Sequence, residues 1–220
     1  RGWFYSDDLY NLTEARTRPF GWDYLTRDLF GHVVPGFMTV VWAVAHPGGA
    51  DYRWAMAGTV VGVVAVVALS RALAVRLGAT PAAAWAAAAV TGANVAWAST
   101  AWWAAAVNWV PSAICGLVLV LGHVGWLEER RLRHLVLAVG ALAVGLSFQE
   151  SGVVFLVTAA ALTATRFLDG SPAERLRGLL RLWPTWLAYG VPVAATGILW
   201  ATSARGMGEH PAPASILAFP

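Results

Sequence analysis

Long apolar runs, separated by short polar segments, organise the chain. A polar stretch at 1–31 precedes a short apolar run at 32–45 and six longer runs, at 54–75, 81–97, 107–126, 135–148, 152–167 and 184–202. Solid runs of Ala, Val, Leu and Trp are typical of membrane-spanning helices, which need about 20 apolar residues, whereas barrel strands alternate apolar and polar positions. The run at 32–45 is short for a complete span and predicts a half-membrane or interfacial helix.

The segments between the runs contain helix breakers or charges, as at 78–81, 128–131 and 169–172. The pattern therefore predicts an all-α fold, a polytopic transmembrane helix bundle. We expect one transmembrane domain over 1–220, with an external loop carrying short interfacial helices at 1–53, about six membrane helices at 54–202 and the start of another external loop at 203–220. Because the chain begins with Arg1 and no apolar helix precedes its polar stretch, we expect it to be a fragment of a longer protein. Gly58 and Gly62 predict close helix packing.

Composition supports the membrane assignment. Hydrophobic residues make up 58% of the chain and charged residues only 12%, against roughly a quarter charged in soluble domains. So few charges could not cover the surface of a water-soluble fold. The net charge of +3 does not indicate nucleic-acid binding, because the arginines lie between apolar runs rather than on one face. The single cysteine, Cys115, cannot form an internal disulfide.

Arginine placement predicts the orientation in the membrane. Three segments are Arg-rich, and two apolar runs separate each from the next, so all three should face one side: Arg71 and Arg76; Arg130, Arg131 and Arg133; Arg166, Arg175, Arg177 and Arg181. The positive-inside rule makes that side cytoplasmic. The outward side then receives 1–53, 98–106, 149–151 and 203–220, provided that the run at 32–45 does not cross; if it crosses, the N-terminal stretch moves to the cytoplasm. We expect a multi-pass protein of the cell (plasma or inner) membrane.

Two adjacent carboxylates, Asp7 and Asp8, lie in an aromatic part of the first outward segment. Close like charges at a low-dielectric rim make one carboxylate a better proton acceptor, which suits a general base, and such a pair can also hold a divalent cation. The alternative is a solvated loop in which an aspartate caps a helix. The pair is our candidate catalytic centre.

Four further polar residues on the same predicted side are candidates for substrate binding: His32, Arg53, Gln149 and Glu150. His32, at the mouth of the short helix, can donate to a phosphate or bond a carboxylate, or it can lie among lipid headgroups. Glu150 is in a tight turn between two runs, where an acid is costly unless it pairs or lines a wet cavity; a turn that reaches the headgroups is the alternative. The tryptophans at 97–109 suit an aromatic belt or, alternatively, a sugar-stacking platform.

In order and placement these features resemble the GT-C-fold glycosyltransferases, a polytopic family that uses polyprenyl-phosphate sugars and includes the protein O-mannosyltransferases. The resemblance rests on the acidic pair Asp7-Asp8, on the later Gly-His-x-x-Pro motif at 31–35, and on Glu150, preceded by Gln149, at an outward turn between two short helices. It covers most of the chain as topology but only these positions as motif. Relatives often have a basic or polar residue inside the Gly-His-x-x-Pro motif, where this chain has Val33 and Val34.

The resemblance implies a glycosyltransferase with a lipid-phosphate-sugar donor, acting on the non-cytoplasmic side. Asp7 or Asp8 would accept the proton of the acceptor hydroxyl as it attacks the anomeric carbon, and His32 and Arg53, or a metal, would stabilise the departing phosphate. No cofactor is assigned and a divalent cation is left open. The implied partners are the donor, membrane lipids and a protein, lipid or glycan acceptor, and no nucleic acid. The alternative class is a transporter or channel, which predicts ionisable or broken-helix features near the bilayer midplane.

Overall fold

The computed structural model describes residues 4, 7–29, 31–46, 51–94, 97 and 108–203. Within these ranges the protein is all-helical, as predicted, apart from one isolated bridge between Leu29 and His32. The helices, numbered in chain order, are α1 (Asp7–Thr17), α2 (Trp22–Leu25), α3 (Pro35–Ala45), α4 (Tyr52–Arg76), α5 (Pro81–Gly92), α6 (Trp109–Glu129), α7 (Leu132–Phe148), α8 (Val154–Leu162), α9 (Pro172–Arg181) and α10 (Trp183–Ser203). A 3₁₀ turn, Glu150–Val153, leads into α8, and a π-helical turn, Thr163–Phe167, follows it.

Three helical segments are long and apolar enough to cross a membrane: Tyr52–Arg76, Trp109–Glu129 and the continuous segment Glu150–Phe167. The apolar helices α3 and α7 are shorter, and α3 is as short as its sequence predicts. α10 has 21 residues, but its tryptophan, tyrosine and proline residues make it less apolar than those three. The structure thus has three candidate spans in its described part, and the larger number, about six, remains a prediction.

Two buried apolar clusters hold the helices together. The first joins α1, α2 and α3 and contains Leu12, Ala15, Tyr24, Leu29, Val34, Phe37, Met38, Val41 and Ala45. The second joins α6, α7, α8 and α10 and contains Leu119, Val120, Ala138, Leu142, Leu146, Ala159 and Tyr189. The short helices expected near the N-terminus therefore pack into a helical unit with a core of its own.

Glycines allow the closest contacts between helices. A Cβ atom on Gly36 would collide with Ser147 and meet the ring of Phe148, so α3 packs tightly on the last turn of α7. This contact joins the N-terminal unit to the bundle. Of the pair expected to pack closely, Gly62 lies against Val110 of α6, whereas Gly58 faces open space.

The bundle has two chemically different ends. Where α4 and α6 end, Arg76 donates to Glu128 at 2.9 Å and to Glu129 at 3.1 Å. Arg166, in the π-helical turn, donates to the carbonyl of Leu77 at 3.1 Å. The three Arg-rich segments, at the ends of α4, α6 and α8, thus meet at this end, which we call the arginine end. The opposite end contains the first residues of α6 and the last residues of α7 and α10.

Candidate functional site

His32 and Glu150 are neighbours at the end of the bundle opposite the arginine end, although 118 residues separate them in the chain. The imidazole Nδ1 of His32 lies 3.1 Å from Glu150 Oε2. The backbone N–H of Val33 donates to Glu150 Oε1 at 3.2 Å. Both oxygens of one carboxylate therefore bind the segment before α3, so Glu150 fixes the Gly-His-x-x-Pro motif against the turn that follows α7.

The turn that presents His32 is held by bonds on several sides. Leu29 and His32 exchange backbone hydrogen bonds of 2.8 and 3.0 Å. Gly31 has φ +86°, a conformation that side-chain-bearing residues rarely adopt. The N–H of Gly31 donates to Asp28 Oδ1 at 2.6 Å, and its carbonyl accepts from Trp200 Nε1 of α10 at 2.9 Å. The imidazole is thus carried on a rigid turn rather than on an open loop.

His32 and Glu150 line a cavity of about 480 Å³, which we call the His–Glu cavity. Gln149 lies in its wall and accepts a hydrogen bond from Asn108 Nδ2 at 2.7 Å. The other walls come from the turns, from Leu146 of α7 and from α10: Gly31, Ser151, Val153, Val193, Thr196, Gly197 and Trp200. The side chains of His32 and Glu150 are 57% and 27% exposed, so a ligand in this cavity can touch both.

The two adjacent aspartates begin α1 in different surroundings. Asp7 is partly exposed, whereas Asp8 is only 3% exposed. Asp8 lines a second cavity, of about 260 Å³, which lies between α1, α3, α4 and α6 and which we call the Asp8 cavity. Asn11 is the other polar residue of its lining, and the rest are apolar residues or glycine: Phe4, Leu12, Phe37, Val40, Val41, Val44, Trp54, Ala55, Gly58, Gly62, Val110, Pro111, Ile114 and Phe148. Asp8 therefore places a buried carboxylate in the wall of a mainly apolar chamber, and this position makes it a functional candidate.

Four of the six predicted site residues line one of the two cavities. His32, Gln149 and Glu150 line the His–Glu cavity, and Asp8 lines the other, and no described residue belongs to both linings. The two cavities nevertheless adjoin the same end of α7, because Phe148 lines the Asp8 cavity and the next two residues line the His–Glu cavity.

Arg53 lies apart from both cavities. Its guanidinium donates hydrogen bonds of 2.6 to 3.1 Å to the Asp51 carboxylate, and its side chain is 89% exposed. The Asp51 carboxylate also caps α4 by accepting the Arg53 N–H at 2.9 Å. These bonds from Arg53 hold the pKa of Asp51 below its usual range. The described contacts therefore give Arg53 a role in starting α4, and they do not bring it to His32.

Several residues of the site carry no obvious sequence signal. The N–H of Val33 is a backbone group, and Asn108 and Trp200 reach the site from helices distant in the chain. Gly36 is visible in the sequence only as a glycine beside Pro35, because its close contact with Ser147 depends on tertiary packing. Within the described ranges, no three His, Cys, Asp or Glu side chains converge as a metal site would require.

A buried polar network lies inside the bundle. His123 of α6 is fully buried; its Nδ1 lies 2.9 Å from Tyr189 Oη and its Nε2 lies 2.8 Å from Thr163 Oγ1. Thr163 donates its hydroxyl proton to the carbonyl of Ala159. It must therefore accept from Nε2–H, which leaves Nδ1 to accept from the Tyr189 hydroxyl. The sequence alone does not show that His123 has these partners, because Thr163 and Tyr189 are 40 and 66 residues away in the chain.

Comparison of the chain with protein-family models, with curated protein sequences and with solved structures gave no match. The resemblance to the GT-C-fold family therefore depends on the motif residues and their placement.

Proposed function

We propose that this chain is part of a multi-pass membrane glycosyltransferase of the GT-C type. In this proposal it transfers a sugar from a polyprenyl-phosphate donor to a hydroxyl of a protein, lipid or glycan acceptor at the non-cytoplasmic face of the cell membrane. The observation that carries the proposal is the pair of contacts made by the Glu150 carboxylate, one with His32 Nδ1 and one with the Val33 N–H. It joins two motif segments that the family resemblance requires at one site and that are far apart in the chain.

The His–Glu cavity is the proposed place of the donor phosphate. When Glu150 binds Nδ1–H of a protonated imidazole, the remaining N–H at Nε2 can donate to a phosphate oxygen. Such charge-assisted bonds are shorter and stronger than neutral ones. Glu150 acts here as a positioning residue for His32. Arg53, paired with Asp51, is not needed for this role.

Asp8 is the proposed general base. In the reaction, the acceptor oxygen forms a bond to the anomeric carbon, and the bond from that carbon to the phosphate oxygen breaks. The hydroxyl proton passes to the Asp8 carboxylate, and the negative charge leaves on the lipid phosphate. The apolar walls of the Asp8 cavity keep bulk water from competing for the carboxylate, which makes it a more effective proton acceptor.

The test uses the full-length protein in proteoliposomes with radiolabelled polyprenyl-phosphate sugars, mannose first and then other hexoses and pentoses. Conversion of the donor to free polyprenyl phosphate reports turnover even with the acceptor unidentified, provided that membrane extract supplies acceptors. We expect Asp8→Asn to lower kcat by at least about 100-fold, the usual contribution of general base catalysis. We expect Glu150→Gln to raise the KM for the donor, because the carboxylate that orients the His32 ring is lost.

Asp23→Asn is the matched control, because Asp23 is an exposed aspartate of α2 that lines neither cavity. Its turnover should equal that of the wild type. The proposal is wrong if no polyprenyl-phosphate sugar is consumed by the wild-type protein. It is equally wrong if Asp7→Asn and Asp8→Asn both turn over as fast as the wild type.

Transport is the second candidate, and the buried network favours it. An ionisable side chain inside a membrane helix often marks a proton or solute pathway, and His123 lies inside α6, one of the three candidate spans. Neither the His–Glu cavity nor the Asp8 cavity is lined by His123. Proton flux into vesicles, measured with a trapped pH-sensitive dye and abolished by His123→Phe, would support transport over glycosyl transfer.

A further inference from the structure

α9 presents three different sides, although it is only 10 residues long and none of them is buried. Leu176 and Leu180, one turn apart, share an apolar side and are 57% and 64% exposed. Trp183, which begins α10 just after α9, is also 63% exposed. Arg177 and Arg181, again one turn apart, are exposed on a second side, since each residue of an α-helix is rotated by about 100° from the last.

The third side of α9 packs on the bundle. Arg175 donates to the carbonyls of Gly170 at 3.0 Å and Ala164 at 3.1 Å, which ties the helix to the end of the preceding membrane segment. Gly178, on the same side, lies against Leu168, where a Cβ atom would come within 2.8 Å of the leucine side chain. Neither Leu180 nor Arg177 is therefore needed to hold α9 in place.

The N-terminus of α9 uses its acidic residue locally. Glu174 accepts from the N–H of Ser171 at 2.7 Å and from its hydroxyl at 2.8 Å, which completes a capping box. These bonds lower the pKa of Glu174, so it stays ionised. The Glu174 carboxylate is thus engaged with Ser171, and within the described ranges neither Arg177 nor Arg181 forms an ion pair.

The three sides correspond to the three surroundings of a helix that lies flat on a membrane beside a bundle. We propose that α9 lies in the headgroup layer of an anionic membrane surface, with Leu176, Leu180 and Trp183 at the acyl boundary and Arg177 and Arg181 on lipid phosphates. This inference depends on membrane insertion and not on glycosyl transfer.

Two observations identify lipid as the occupant. First, α10 follows α9 after a single residue, Leu182, and exposes further apolar side chains, with Leu187 and Val191 60% and 65% exposed. Second, α9 lies at the arginine end, directly after the candidate span Glu150–Phe167, so it lies at the depth where that span leaves the membrane. Arginines there complement anionic headgroups, and amphipathic helices of this composition bind at such interfaces.

The single cysteine of the chain allows a direct measurement of depth. In a Cys115→Ser background, one cysteine is introduced at Leu180→Cys, Leu176→Cys or Arg177→Cys and labelled with an environment-sensitive fluorophore. The full chain is placed in nanodiscs of neutral lipid or of neutral lipid with anionic phosphatidylglycerol. We expect blue-shifted emission from labels at 176 and 180, and we expect lipids that are spin-labelled in the headgroup region to quench that emission. The label at 177 should show water-like emission.

The anionic requirement is tested in the Leu180→Cys reporter. Spin-label quenching should be stronger in anionic than in neutral nanodiscs, and Arg177→Gln with Arg181→Gln should remove that difference. Arg133→Gln is the matched control, because Arg133 is an exposed arginine at the same end that pairs with Glu129 at 3.7 Å; it should leave the difference intact.

Three results would overturn the proposal. The first is water-like emission at both 176 and 180 in every nanodisc. The second is an anionic-lipid effect that survives the double glutamine variant. The third is emission at 180 that is blue-shifted in native membranes but water-like in nanodiscs, which would assign the apolar side to a protein partner.

Discussion

Removal of one hydroxyl group tests whether the buried histidine network holds α6, α10 and the π-helical turn after α8 together. Tyr189→Phe keeps the aromatic ring, which packs beside Trp186 with 5.9 Å between the ring centroids. It deletes only the oxygen that lies 2.9 Å from His123 Nδ1. Because His123 is fully buried, water cannot replace the lost donor. The variant therefore leaves a buried acceptor unsatisfied without opening a large cavity.

The unsatisfied Nδ1 acceptor of His123 determines the expected loss of stability. An unsatisfied buried polar group costs about 1–3 kcal/mol. Interhelical bonds in membrane proteins average about 0.6 kcal/mol and reach about 1.7, because the unfolded chain in a membrane also finds partners. We therefore expect Tyr189→Phe to lower the free energy of unfolding by about 1–2 kcal/mol. Thr163→Val removes the bond on the other ring nitrogen, and since both bonds share one imidazole, the two variants should not be additive.

The measurement is unfolding of the full chain in mixed micelles by titration with SDS, followed by tryptophan fluorescence. Thr158→Val is the matched control: Thr158 lies in α8, just before the π-helical turn that carries Thr163, but it is exposed and its hydroxyl makes only a local bond of 3.5 Å. A Tyr189→Phe protein no less stable than this control would show that the network does not stabilise the bundle. Strict additivity of Tyr189→Phe and Thr163→Val would show that His123 does not couple the two bonds.

Two further variants test the packing of the bundle and of the N-terminal unit. Gly116→Ala should destabilise the protein by about 1–3 kcal/mol in the same titration, because its Cβ would collide with the Phe155 ring; Gly140→Ala, which meets open space, should cost no stability, and equal losses would contradict the packing argument. Burial raises the pKa of Tyr24 from 10.0 to about 12, so the folded state holds the phenolic proton more tightly, and this stabilisation is complete below pH 10 and is lost as the pH rises from 10 to 12. Tyr24→Phe should be less stable than the wild type at neutral pH, because it loses the 3.1 Å hydrogen bond to the Met38 carbonyl. Between pH 8 and 12, however, the variant should lose less stability than the wild type does. An identical alkaline loss in both proteins would show that Tyr24 is not the group responsible.

The apolar runs predict the helices well because each run determines its own helix. The run at 54–75 corresponds to Tyr52–Arg76, and the run at 152–167 lies within Glu150–Phe167. The polar stretch at 1–31 is different. Its buried residues, such as Leu12 and Tyr24, are scattered among polar ones, and they are buried only because α3 packs on them. Local pattern cannot show that tertiary packing, which is why a loop with short helices was the most the sequence could predict there.

The same reasoning explains the candidate site. The types of its residues could be selected from the sequence, since an acid at a turn between apolar runs is costly without a partner. Their grouping could not, because it depends on which way α1 and α3 turn relative to α7. The sequence treats Asp7 and Asp8 as equals, yet the first turn of α1 buries only Asp8. Arg53 was chosen for its positive charge, and in the structure that charge is paired with the nearby carboxylate of Asp51.

α3 and the turn before it connect the two cavities. The segment before it forms one wall of the His–Glu cavity, and Phe37 and Val41 on its first two turns form a wall of the Asp8 cavity. Gly36, between these two sets, packs on Ser147 and Phe148 with no room for a side chain. A shift of the His32 turn must therefore move the Phe37 wall as well, because a close-packed contact transmits displacement rather than absorbing it. Since the Glu150 carboxylate holds that turn through both of its oxygens, its loss would alter the Asp8 cavity too. An effect of Glu150 substitution on kcat, in addition to KM, would thus be a consequence of this connection through α3 and would not by itself make Glu150 a second base.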